Sequence, residues 1–101
     1  MEKMRIFVDT HDTAKGTFPA GLTEEQLQAF LAEFDAACRA ENVVMHQANV
    51  GLADGRAFCI TLAPDAEAVR RAHERVGLPF DSITEVQSIS PSALFLKPAA
   101  A

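Results

Sequence analysis

The sequence predicts an α+β sandwich, a four-stranded antiparallel sheet with two helices on one face. Three observations predict it. Four short runs alternate with period two and are rich in β-formers. Two longer runs carry apolar residues at helical spacing. The order is strand, helix, strand, strand, helix, strand, with Asp54-Gly55 as a two-residue hairpin signal between the middle strands.

The first strand is read from Met4 to Thr10, where Ile6, Val8 and Thr10 alternate with Arg5, Phe7 and Asp9. A loop through Leu22 follows, holding Gly16, Pro19 and Gly21; at about 12 residues it is long for a compact domain, and long loops are often functional. Thr23 and Gln26 match a capping box that opens the first helix, and Glu24 and Glu25 suit its positive end. Leu27, Phe30, Leu31, Phe34, Ala37 and Cys38 form its buried stripe, which fades near Glu41-Asn42. The second strand runs from Val43 to about Val50 and the third from Arg56 to Ala63. On the third, Phe58, Ile60 and Leu62 are expected to face the helices, with Ala57, Cys59 and Thr61 on the other side. Pro64 fits the first turn of the second helix, whose inward stripe is Val69, Ala72, His73 and Val76. Gly77 ends that helix, Pro79 prevents re-entry, and a last strand runs from Asp81 to Ile89. Two βαβ-like halves around a central hairpin make the ferredoxin-like βαββαβ topology, one domain with its core at about 4–89 and a tail at 90–101. Ala93 to Leu96 of that tail are expected to dock as a short arm. Both helices cover one sheet face, so the other, fairly apolar, calls for a partner, and a homodimer through that open face is the simplest.

With 101 residues the chain makes one domain, and Lys plus Arg at 9 against Asp plus Glu at 14 leave a net charge of -5. The acidic balance argues against a nucleic-acid or anionic-membrane partner, which needs a basic footprint. No apolar run reaches the roughly 18 residues of a membrane span, and MEKMRIFVDT lacks a secretory h-region. Two Cys are too few for a disulfide framework, so the expected location is the cytoplasm with both thiols reduced. Dinucleotide, P-loop, serine-hydrolase, CxxC and HExxH fingerprints are missing.

Candidate chemistry therefore rests on three His and two Cys. Cys38 falls on the apolar stripe of the first helix and reads as a core thiol. Cys59, on the opposite side of the sheet, is expected not to reach it for a disulfide and reads as an interface thiol or a thiolate ligand. Closing the hairpin on Asp54-Gly55 pairs Ala53 with Arg56, Val50 with Cys59 and His46 with Ala63. His46 and Cys59 then share the open face with Val44, Ala48 and Val50, about 13 Å apart along the ladder and too far for one ion within a chain. With the first and third strands taken as parallel neighbours, His11 falls near Leu62–Ala63, level with His46 and one strand away. His11 is otherwise a surface His two residues past Asp9, and His73 a satisfied core or boundary histidine.

The stretches MRIFVDTH, GRAFCITLAPDAEAVRRAHERVGLPFD and ITEV together resemble a family of small bacterial ferredoxin-like proteins of the DUF4242 type, which includes a nickel-binding member. The likeness covers almost all of 4–89. It implies a homodimer and transition-metal binding, preferentially nickel, with no established catalytic activity. The positions that match the family's metal-capable residues are His11, His46, Cys59 and His73. Imidazole suits nickel and thiolate suits softer or square-planar sites; water, Asp9 or a second subunit would have to complete the ligand set. Nickel sequestration or tolerance is the implied role.

Two other readings stand beside it. A ferredoxin-like dimer can be an isomerase or cofactor-free monooxygenase, with Phe7, Phe30, Phe34, Phe58 and Phe80 lining a pocket and His73 or Asp9 as general base. It can also be a metal-free small-ligand module.

Overall fold

The first strand runs further than its β-branched residues require. In a computed structural model, which describes residues 3–91, β1 spans Arg5–Asp12, and Phe7, Asp9 and His11 keep the period of two and turn inward together. Asp12 then caps one 3-10 turn at Thr13–Lys15, its carboxylate accepting from Ala14 N at 2.9 Å. Helix α1, Glu24–Ala40, opens on the expected capping box: Thr23 Oγ1 accepts from Gln26 N at 3.1 Å, and Gln26 Oε1 accepts from Thr23 N at 3.0 Å. Strands β2 (Val44–Gly51) and β3 (Arg56–Ala63), helix α2 (Ala66–Arg75) and strand β4 (Ser82–Val86) follow. The N-cap of α2 is Asp65, which accepts from Ala68 N at 2.8 Å; Pro64 stands just outside. The expected arm, Ala93 to Leu96, lies outside the described residues.

The sheet order is β2-β3-β1-β4 and every neighbouring pair is antiparallel, the ferredoxin-like α+β arrangement. The parallel placement of the first and third strands is thereby corrected. Arg5 pairs with Ala63 and His11 with Ala57, so His11 lies at the far end of β3 from Leu62–Ala63.

The facing of β3 is the reverse of the expected one. Ala57, Cys59, Thr61 and Ala63 are buried on the covered side, Ala63 against α2 and Ala57 and Cys59 with Phe18 of the long loop, while Phe58, Ile60 and Leu62 point to the open side, Phe58 remaining 39% exposed. The reason is steric. Ala68 and Ala72 of α2 are fully buried, and small residues on both surfaces let a helix lie close on a sheet. Gly51 pairs with Arg56, so the hairpin turn holds four residues, Leu52–Gly55, rather than two. A bulge between Met45 and Gln47 then leaves His46 out of the ladder.

Phe7, Phe34, Cys38, Val43, Ala63, Ala68, Val69 and Ala72 make the main core. A second cluster, Phe18, Ala57 and Cys59 with Leu22, Ala48 and Val50, joins the long loop to the sheet. Glu41, just past α1, accepts from Arg71 Nε at 2.8 Å and Arg75 Nε at 2.6 Å, which ties α2 to the end of α1. No helix among the described residues is long and apolar enough to cross a membrane.

Candidate metal centre

Asp9 is fully buried, and a carboxylate out of water is costly unless opposite charge and hydrogen bonds compensate. Its surroundings therefore decide what the site can do. Period two puts His11 on the same face of β1. The inward stripe of α2 brings His73 over the strand, 64 residues along the chain from Asp9. His11 is 3% exposed and His73 fully buried. His11 Nε2 lies 2.6 Å from Asp9 Oδ2, and His73 Nε2 lies 3.0 Å from the same oxygen. The two rings stack with centroids 5.5 Å apart, and Phe34 and Phe80 meet the His73 ring edge-on at 4.8 and 5.1 Å.

The outer ring nitrogens settle the tautomers. His11 Nδ1 donates to the Pro79 carbonyl at 2.8 Å and to the Thr17 carbonyl at 3.2 Å. His73 Nδ1 donates to the Val69 carbonyl at 2.8 Å, one turn back in α2. A carbonyl only accepts, so each Nδ1 carries hydrogen and each Nε2 offers either a lone pair or a second proton. Lone pairs on nitrogen and carboxylate oxygen repel at these distances. Positive charge must sit between them, supplied by protons or by a cation.

The electrostatics agree. Burial alone would raise the Asp9 carboxyl, but hydrogen bonds from His11 and His73, with their charge, outweigh it and hold the group below its ordinary value. Burial alone would lower His11; the bond and charge of Asp9, helped by the Pro79 and Thr17 carbonyls, raise it instead.

The donor set suits a transition metal. One donor atom from each of Asp9, His11 and His73 lies within 4.8 Å of the others. Ligands set at right angles on bonds of about 2.1 Å stand about 3.0 Å apart, and His73 Nε2 and Asp9 Oδ2 already have that spacing. Asp9 Oδ1 is buried with no hydrogen-bond partner, an unused acceptor of the kind an ion satisfies. Both imidazoles give their Nδ1–H to a backbone carbonyl, which fixes the ring and leaves Nε2, turned toward Asp9, as the nitrogen that would ligate.

Of the four residues singled out from sequence, the structure brings together His11 and His73. Asp9, expected only as a supplementary ligand or a base, supplies through Oδ2 the atom they share. His46 is exposed and borders a shallow hollow on the open face with Ile6, Gln47, Ile60 and Leu62. Cys59 is on the helix side, so the two do not share a face. Asp9 and Cys59 pair across β1 and β3, yet Cys59 is not part of the three-residue group. Burial, then the charge of Asp9, pushes its thiol up to about 12. Cys38 is a fully buried core thiol as expected, and both cysteines are free.

The pocket expected between sheet and helices is small. It holds about 60 Å³ and is lined in part by His11, Phe30, Phe34 and Cys59, against roughly 300 Å³ or more for ordinary small-molecule sites. Phe58, expected in its wall, faces the other way.

A family model described as "Nickel responsive protein SCO4226-like" matches residues 7–86. Among solved structures, the crystal structure of SCO4226 from Streptomyces coelicolor A3(2) is similar, with a TM-score of 0.72 and 36% sequence identity over 84% of this chain and 99% of that chain. No curated protein matches the chain.

Proposed function

The chain belongs to the SCO4226-like family of nickel-responsive proteins, and from that premise we propose that it binds a divalent transition-metal ion, nickel first, through Asp9, His11 and His73. The observation that carries the reading is the meeting of two imidazole Nε2 atoms on one buried carboxylate oxygen while both Nδ1 atoms are committed to carbonyls. Imidazole and carboxylate together suit nickel and its neighbours in the first transition row. An ion there would be held through Nε2 of His11 and of His73, nitrogens that ligate only with a free lone pair, and Asp9 would offset its charge.

The finer picture is of a cytoplasmic homodimer of the DUF4242 type that sequesters the ion or confers tolerance to it. The family description supports the metal, the apolar open face supports the dimer, and the two free thiols fit a reducing compartment. His46 and Cys59 stay in the proposed ligand set as donors outside the Asp9 cluster, His46 only where a second copy meets the open face.

Calorimetric titration of untagged, metal-free protein with Ni²⁺ tests the reading. Submillimolar affinity that drops at least about 10–100-fold in His11→Ala and in His73→Ala is the expected result, since losing even an outer-shell partner costs that much. Affinity unchanged in both variants would overturn it. A loss confined to His46→Ala moves the site to the open face, and a loss in Cys59→Ala adds a sulfur donor.

A further inference from the structure

The cavity of about 60 Å³ beside the centre has an unusual wall. His11, Phe34 and Cys59 all line it, and each also borders the centre: His11 is a member, Phe34 packs edge-on against His73, and Cys59 pairs across the sheet with Asp9. The chamber therefore lies against the flank of the Asp9 cluster. Its exposed wall atoms are apolar. Both nitrogens of His11 are occupied, one by carbonyls and one by Asp9, so the ring offers the chamber only carbon.

A water needs two to four polar partners to settle in such a space, and this wall supplies none. A charged or hydrogen-bonding molecule would lose its hydration without replacement. An apolar guest gains dispersion contacts that the empty wall lacks. Size narrows the class further. A dry cavity of about 150 Å³ accepts benzene, and this one is well under half of that. Pro19, exposed, and Leu22, half-buried, belong to the same wall and lie on the long loop, giving the chamber a side toward solvent.

We propose that this chamber is a binding site for a very small uncharged apolar molecule, of the class of dioxygen and other diatomic gases, held against the flank of the Asp9–His11–His73 centre. The site goes beyond the metal reading and does not depend on it, because the wall offers carbon rather than any Asp9, His11 or His73 donor atom.

Paramagnetic relaxation by dissolved dioxygen tests it in metal-free protein. Methyl protons of Leu31 and Val50, in the chamber wall, are expected to relax several-fold more strongly than those of Val69 and Ala72, which are fully buried in the main core. Pressurised xenon, a diamagnetic probe of like size, should shift the same wall methyls and saturate. Leu31→Phe fills the chamber and should erase the difference. Val50→Phe, from the strand side, does the same should the first variant fold poorly. Equal relaxation of the two methyl sets, or a contrast that survives both substitutions, overturns the proposal. A Ni²⁺ titration of the same samples separates the two readings: metal bound without a selective gas effect sinks the chamber alone, and a selective effect without metal binding leaves it standing.

Discussion

At His11 the hydrogen bond that orders the ring also competes with a metal. The carboxylate of Asp9 raises the imidazole above its ordinary value of 6.5, and an ion can bind only after that Nε2 proton leaves. Metal affinity should therefore climb with pH, about tenfold per unit for each proton released, until the raised value is passed. The metal-free protein should move the other way. A raised histidine contributes stability that is complete below 6.5 and is lost as pH rises through its folded value; Asp9, held below its ordinary 3.8, contributes above that value and loses its share only in strong acid. Scanning calorimetry from pH 6 to 9 should show the melting temperature of the metal-free protein falling and that of the nickel-loaded protein holding or rising. Parallel curves would exclude this linkage. Part of this site is legible in the sequence. Asp9 and His11 stand two apart on a strand and His73 falls on an inward helical stripe. Their convergence is not legible, because it depends on how α2 crosses β1, a contact between residues 64 positions apart.

Element type was readable where local chemistry decides it, and facing was not. The Thr23–Gln26 box and the Gly77 stop are local signals, and both helices begin and end close to where these place them. On β3 the two faces are Phe-Ile-Leu and Ala-Cys-Thr-Ala, and hydrophobicity alone assigns the larger set to the core. What covers that face, α2 over Ala63 and the long loop with Phe18 over Ala57 and Cys59, takes small residues beneath it, and that demand is tertiary. The hairpin misled for a related reason. Asp54-Gly55 is a strong two-residue signal, but Gly55 N bonds Leu52 O at 3.3 Å inside a four-residue turn, and Gly55 O accepts from Thr13 N at 2.8 Å. Gly55 thus docks the turn on the 3-10 segment that follows β1. Its φ is +66°, and a Cβ added there would stand 2.5 Å from Thr13 Oγ1, itself buried without a partner. Gly55→Ala should cost more than about 1 kcal/mol, a fall of about 4–8 °C in melting temperature for each kcal/mol in a domain this size. Because Thr17 of the same loop accepts from His11, nickel affinity should weaken too. Unchanged melting would mean the turn moves aside freely.

Across the whole molecule, one sheet face carries the centre and the other carries exposed apolar side chains, Val44 at 50% and Phe58 at 39%, beside the half-buried Ile6, Val8, Ile60 and Leu62. Contiguous apolar surface of this kind on a small domain marks an interface, and a two-fold pairing of identical faces is the commonest way to cover it. Read from the sequence alone, the metal site points to a second subunit, with water or Asp9 as the other ways to complete it, since His46 and Cys59 fall too far apart to share an ion within one chain. The structure separates the two questions. Asp9, His11 and His73 come from one chain and lie on the helix side, so association and metal binding should be independent. Sedimentation equilibrium of the wild type should give twice the 10.9 kDa chain mass, and Ile60→Glu, which places a charge at the middle of the open face, should give a folded monomer. That monomer should still bind nickel within a few-fold of the wild-type affinity. A monomer that folds but loses the ion would show that a ligand crosses the interface and would return His46 to the centre of the argument; a wild type that sediments as a monomer would leave the open face to some other partner.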